Sequence, residues 1–394
     1  MRVAAAVSFI GFTGFTLVMP FLPLYIAELG VTDVREIAFW TGLTLGATPA
    51  VTAVSAPLWG RVGDRYGSKL LVLRSLGAFV LTKAAMAFVT APWQLFALRA
   101  LLGLFAGYGA LTVSMAAESV PRREMARAIG FVQTVQRLGP ALGPVIGGAL
   151  APLVGLRPAF LVAALFYLGA ALLVMFGYKE PRRRRPEAEE AGPRPSLAAV
   201  LRAPRFARML LVILGVMLAD RSFSPILALY VEQLGVSAAR VPAVTGLLFS
   251  VAALSAAAGH HWAGRVLRDD NAGEVITKAS LVAAATFVPF LLEAPLWILA
   301  VSTGIFGVMV GLAMTAAYAS AGAALPAGAH TTGFGFMTSA SLVGLAVSPV
   351  AAGLLGGYSL AAVFVADIAI LGAVVVAVRA PIAGRRRGAD AKMI

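Results

Sequence analysis

An apolar stretch about twenty residues long returns again and again along this chain, and little else could constrain its fold as tightly. Wound as a helix at about 1.5 Å per residue, such a stretch spans a hydrocarbon core of ~30 Å. We read spans at 3–27, 37–59, 70–90, 93–117, 127–152, 157–178, 207–231, 240–262, 275–293, 296–320, 331–355 and 358–378. The stretches are continuous rather than alternating, and rich in Ala, Leu and Gly, which argues against barrel strands. With 60% of its 394 residues hydrophobic and only 13% charged, the chain could not cover a water-facing surface. The expected class is an all-α integral membrane protein with twelve transmembrane helices.

The formal net charge of +14 could suggest nucleic acid, but its distribution does not. With a cytoplasmic N-terminus, the inside loops carry Arg61, Arg65, Lys69, Arg74, Arg122, Arg123, Arg127, the stretch from Lys179 to Arg208, Arg265, Arg268, Lys278 and the tail Arg385–Arg387. The outside loops hold only Arg35, Arg157 and Arg240. This is the positive-inside asymmetry, and it places both termini in the cytoplasm. The excess of Arg over Lys and the abundant Ala point to a bacterial cytoplasmic membrane. The opening Met1-Arg2 before an apolar run reads as the first span, since the run is too long for a signal peptide. There is no cysteine, which excludes disulfides, thiolate metal sites and cysteine nucleophiles.

One segment interrupts the pattern. Residues 179–206 are rich in Pro and in blocks of both charges, and read as a cytoplasmic linker between units 1–178 and 207–379, with a tail at 380–394. The flanking units resemble each other. Pro20, Tyr25 and Gly30 pair with Pro225, Tyr230 and Gly235 at a constant offset (225−20 = 205). Gly60-Arg61-Val62 pairs with Gly264-Arg265-Val266 (264−60 = 204), and Gly139 and Pro144 pair with Gly344 and Pro349 (344−139 = 205). Several matches in one order at one offset indicate a duplicated six-helix unit. Substrate is then expected at the midplane between the halves.

Three motifs give this architecture a family. Gly60, Gly63 and Gly67 with Asp64, Arg65 and Lys69 follow the second span, where glycines allow tight turning and the charges can make and break hydrogen bonds. Leu98 to Gly103 places Arg99 inside the fourth span, where a charge is costly. Gly139, Pro140, Gly143, Pro144, Gly147 and Gly148 form an ungapped G-x-x-x-G-P-x-x-G-G string in the fifth, suited to close helix packing. Together they resemble the major facilitator superfamily, and most closely its twelve-helix drug:proton antiporters. The resemblance implies two pseudo-symmetric six-helix bundles and a cytoplasmic latch in the first motif, where Ser68 departs from the usual basic residue. It also implies proton transfer involving Arg99, antiport rather than symport, and a cavity lined by helices one, four, seven and ten.

Charges within spans are Lys83, Arg99, Arg137, Asp220, Arg221 and Asp367. Asp220 is the first candidate for proton coupling, with Arg99 or Arg137 rather than the adjacent Arg221 as its expected partner. Asp367, on an outer helix, is the second. Lys83 is expected to snorkel. Gln133, Arg137, Pro140, Pro144 and Gly147 share one helical face. The expected cavity residues are Phe12, Thr13, Thr16, Met19, Gln133, Gln136 and Ser224. The expected function is proton-coupled export of lipophilic or cationic drugs, by a monomer that needs no metal or other cofactor. The partners are a small molecule, protons and the bilayer. Proton-linked transport of a sugar or metabolite is the alternative. A membrane enzyme or sensor finds no support in any catalytic or metal-ligand grouping.

Overall fold

A computed structural model describes residues 1–121, 124–178, 203–268, 270–325 and 330–381, and at 56–58, 60–66, 110, 118, 125–127, 137 and 330–332 the backbone alone. The linker segment 179–202 and the tail from 382 onward lie outside the described residues. Those described contain helices and no strand. In the first half the helices are α1 (Arg2–Thr16), α2 (Leu22–Glu28), α3 (Val34–Tyr66), α4 (Ser68–Met86), α5 (Pro92–Leu104), α6 (Tyr108–Glu118), α7 (Met125–Val154) and α8 (Leu156–Gly177). In the second they are α9 (Pro204–Arg221), α10 (Phe223–Gln233), α11 (Val241–Val266), α12 (Ala272–Ala285), α13 (Val288–Leu291), α14 (Leu296–Ala323), α15 (His330–Tyr358) and α16 (Leu360–Arg379).

Among the described residues, ten segments are long and apolar enough to cross a membrane. The two other expected spans carry visible reasons for falling short. Ser68–Met86 holds Lys69, Arg74 and Lys83. The fourth is broken between α5 and α6, where Gly107 takes φ +115°, a left-handed conformation that favours glycine. Many large apolar side chains face outward, among them Leu81, Phe88, Leu153, Phe176, Trp297 and Val376, each more than two-thirds exposed. A surface of this kind suits acyl chains and would aggregate in water.

The repeat seen in the sequence returns as matched packing. α1 lies on α7 as α9 lies on α15; α3 lies on α5 as α11 lies on α14; α4 lies on α8 as α12 lies on α16. Tyr25 donates a 2.6 Å hydrogen bond to the Met86 carbonyl, and Tyr230 one of the same length to the Phe290 carbonyl. The halves meet where α3 crosses α15 and α7 crosses α11. A Cβ on Gly42 would overlap the Pro349 carbonyl, and one on Gly246 the Pro144 carbonyl; Gly353 and Gly148 face Ala38 and Pro242 in the same way. Both crossings are thus built on glycine against a carbonyl, so the backbones sit closer than any side chain would allow.

The first motif is not the loop the glycines suggest. α3 runs on through Tyr66, and the turn is confined to Gly67 at φ +95°. Only Gly67 lacks helical geometry, so Gly60 and Gly63 serve the helix rather than a turn.

Candidate functional site

Two helices break at the same place in the repeat. α1 gives way to α2 around Pro20 and Pro23, and α9 gives way to α10 at Ser222, three residues before Pro225. Proline has no N–H and its ring clashes with the carbonyl four residues back, so the breaks follow from local sequence. Between these breaks and the facing helices lies a cavity of about 490 Å³. Phe12, Phe15, Met19, Phe79, Leu102 and Tyr108 line it from the first half, and Leu342, Leu345 and Pro349 from the second. Its polar lining is sparse: Thr48, Thr52, Arg99, Gln136, Arg221, Ser224 and Thr338.

Of the residues expected there, Phe12, Met19, Gln136 and Ser224 line the cavity. Thr13, Thr16 and Gln133 do not. Thr13 and Thr16 are buried where α1 meets Gly139 and Gly143, and the Thr16 hydroxyl turns back to its own helix at the Phe12 carbonyl. Gln133 is exposed, although it stands about one turn before Gln136 and only about 60° around α7 from it. Gln136 donates to the Gly109 carbonyl at 2.8 Å and to Thr112 at 3.2 Å, tying α7 to α6. The lining also departs from the expected helices one, four, seven and ten. α3 and α15 contribute, while α14 contributes no described lining residue, because α3 and α15 are the helices that cross between the halves.

The glycine–proline string has two jobs. Gly139, Gly143 and Gly147 receive α1: a Cβ on Gly147 would overlap the Leu17 carbonyl, and one on Gly143 the Thr16 hydroxyl. Gly148 receives α11 of the other half. Pro140 and Pro144 stand inside α7, each removing a helix hydrogen bond.

The ionisable groups fall into separate sets. Asp220 is paired with Arg221, Nε to Oδ2 at 2.9 Å, with the aspartate side chain 20% and the arginine 40% exposed. Among the described residues its ion-pair partner is the sequence neighbour. Adjacent helical residues diverge by about 100°, but an arginine stem is long enough to fold back at a helix end. Arg221 also lines the cavity. Ser222 donates a 2.6 Å hydrogen bond to Asp367, which is buried beside the aromatic cluster of Phe223, Phe287, Phe290 and Phe364. Asp220 and Asp367 are thus linked through three consecutive residues at one helix break. Sequence spacing could not reveal this, since 145 residues separate Ser222 from Asp367.

Arg99 and Lys83 are both buried in the first half, at 1% and 0% exposure. Neither snorkels: α4 and α5 turn these side chains into the bundle, and the Lys83 ammonium lies 5.9 Å from the Phe160 ring. The side chain of Arg137 lies outside the described residues, as do those of Gly60, Gly63, Asp64 and Arg65. Lys69 of the same motif donates to the Met175 and Tyr178 carbonyls at 3.0 and 2.5 Å, capping the C-terminal end of α8, where a cation is favoured. Among the described residues no group of His, Cys, Asp and Glu could hold a metal ion.

Comparison with known proteins agrees with this architecture. The family model of the Major Facilitator Superfamily matches residues 4–271. The chain is 31% identical over 303 residues to "Multidrug resistance protein MdtG" of Citrobacter koseri, covering 77% of this chain and 74% of that protein. It is 32% identical to the protein of the same name from Salmonella arizonae, covering 77% and 75%. Among solved structures, a bacterial homolog of the human lysosomal transporter Spinster, inward-facing and unoccupied, superimposes with a TM-score of 0.75 at 15% identity, over 96% of this chain and 95% of that one. The nucleoside transporter NupG (D323A mutant) gives 0.73 at 12% identity, over 95% and 98%. At these identities the two structures speak to the fold alone.

Proposed function

The chain belongs to the major facilitator superfamily as a multidrug efflux transporter of the membrane, and we propose that it is a proton-coupled antiporter exporting lipophilic compounds by alternating access. The observation that carries this reading is the cavity of about 490 Å³ between the halves, walled mainly by aromatic and aliphatic side chains. Such a wall suits apolar cargo and offers too few hydrogen-bond partners for a sugar. A cationic cargo would want a carboxylate, and no described lining residue is an acid.

In this reading twelve helices form two bundles, 1–178 and 207–379, in a bacterial inner membrane, as a monomer with both termini cytoplasmic. The glycine crossings at Gly42 and Gly246 close the outer end of the cavity. The first motif, with Asp64 at its centre, latches the inner end when the outer end opens. Asp220, paired with Arg221, carries the coupled proton, and Asp367 is the reserve carrier one helix break away. The energy scale suffices. A proton crossing ~150 mV releases about 3.5 kcal/mol, at roughly 2.3 kcal/mol per 100 mV. At ~1.4 kcal/mol per tenfold, that sustains a neutral-substrate gradient of a few hundredfold.

Asp220→Asn keeps the shape and removes the titration. In proteoliposomes with an imposed pH gradient it should abolish uphill export while downhill exchange survives. Uphill export with unaltered pH dependence would reject Asp220 as carrier and direct the same test to Asp367→Asn.

A further inference from the structure

Two buried cations share the core of the first bundle, and no acid shares it with them. Lys83 and Phe79 stand about one turn apart on one face of α4, which packs on α5, α6 and α8 at once. Those helices bring Arg99, Tyr108 and Tyr167 to that face. Phe79 meets the Tyr108 and Tyr167 rings nearly at right angles, 5.6 and 5.1 Å between centres. The Lys83 ammonium is within electrostatic reach of Arg99, and Arg99 of Tyr167. Lys83 and Tyr167 are wholly buried, and Arg99 is 1% exposed. Among the described residues no hydrogen-bond partner meets Lys83 Nζ, the Tyr167 hydroxyl, or Arg99 Nε and Nη2. The last two form one edge of the guanidinium fork. Every carboxylate of residues 1–178 belongs to a helix end or a connection: Glu28, Asp33, Glu36, Asp64, Glu118 and Glu124.

Buried like charges repel, and each has given up its hydration. Lys83 stands in the last turn of α4, where the helix dipole favours a cation, yet its Nζ reaches no carbonyl there. A water molecule would leave the repulsion standing, because it carries no charge. An anion would accept from the ammonium, the guanidinium edge and the phenol together, and cancel one of the two charges. Donors this deeply buried, with Phe79 and Phe160 packed among them, fit a single atom better than a polyatomic group. We propose that the first bundle holds a halide ion, chloride, bound by Lys83 Nζ, Arg99 Nε and Nη2, and the Tyr167 hydroxyl. The ion is a resident counter-ion, not cargo: neither Lys83 nor Tyr167 lines the cavity between the halves. It neutralises the pair and fixes the Arg99 guanidinium at the cavity wall. The site stands whether or not the exporter reading does.

The test starts from the full chain extracted and purified in sodium gluconate. Thermal unfolding is followed as chloride, bromide or sulfate replaces gluconate at constant ionic strength. Chloride and bromide should raise the midpoint saturably and sulfate should not, since a ligand of the folded state alone stabilises it by mass action. Lys83→Met keeps most of the stem and removes the charge. In gluconate it should unfold at a higher temperature than the unaltered chain, because the repulsion is gone. Its halide affinity should be about tenfold or more weaker, the loss of one charge-assisted contact. Tyr167→Phe leaves both cations and should weaken halide binding about fivefold, the loss of one neutral donor. Line broadening of the chloride NMR signal, competed by bromide, should rank the variants in the same order. A midpoint indifferent to the anion, an equal response to sulfate, or a halide response left intact by Lys83→Met would overturn the proposal. If Lys83→Met does not accumulate, Tyr167→Phe decides, and unchanged halide affinity in that variant rejects the site.

Discussion

The break between α1 and α2 and the break between α9 and α10 occupy equivalent places in the repeat, yet they carry opposite chemistry. Counting back from Pro20 and Pro225, Phe15, Thr16 and Leu17 in the first half stand where Asp220, Arg221 and Ser222 stand in the second (220−15 = 205). The backbone is held alike in both: Tyr25 and Tyr230 anchor the following helix to equivalent carbonyls by bonds of 2.6 Å. The side chains at the break are not. In the first half they seat α1 on glycines of α7; in the second they form an ion pair and a buried bond to Asp367. Duplication therefore conserved how the helix bends, while ionisable groups were assigned to one copy only. The cores follow suit, with Arg99 and Lys83 buried in one half and Asp367 in the other.

The largest break in this comparison should come at Gly147. Its counterpart by the repeat, Ala352, already carries a Cβ and is buried at 3% exposure, whereas a Cβ on Gly147 would overlap the Leu17 carbonyl. Gly147→Ala should cost several kcal/mol or prevent accumulation of folded protein, since overpacking alone costs about 1–3 kcal/mol before backbone displacement is added. Ala352→Gly should cost only about 1 kcal/mol, the ordinary helix penalty. Thermal unfolding of the two purified variants decides; equal costs would deny that α1 docks more tightly than α9.

A middle-sized effect is expected at Ser222. Ser222→Ala removes the hydroxyl that Asp367 accepts from and leaves a buried carboxylate without that bond, at about 1–3 kcal/mol. Leu17→Ala at the equivalent position deletes apolar contact instead, so adding Asp367→Asn should rescue part of the Ser222→Ala loss and none of the Leu17→Ala loss. A thermal-shift series with the two double variants checks it, and rescue of both would dissolve the distinction between the breaks.

The smallest effect sharpens the likeness. Tyr25→Phe and Tyr230→Phe should each lose about 1 kcal/mol, the net value of one hydrogen bond. The two losses should agree within about 0.5 kcal/mol, the scatter expected of such values. A larger gap in unfolding midpoints would mean that matched geometry hides unmatched energetics.

Apolar run length, the doubled prolines and tyrosines and the glycine–proline string were enough to set out an all-helical membrane chain with an internal repeat and a facilitator family, because each acts within a few turns of its own helix. Membrane helices must satisfy their own backbone groups, so their existence is written locally. Side-chain partners are not. Whether Arg99 and Lys83 turn inward, whether Asp220 finds Arg221, and whether Ser222 reaches Asp367 depends on how helices rotate about their axes when packed. A rotation of about 100° exchanges one residue's environment for its neighbour's. That rotation is set by contacts between segments far apart in the chain, such as glycines on α7 against carbonyls of α1 and α11. The tertiary structure alone decided that Gln136 faces the cavity and Gln133 does not, and that Arg99 and Arg221 are the ionisable groups that line it among the described residues.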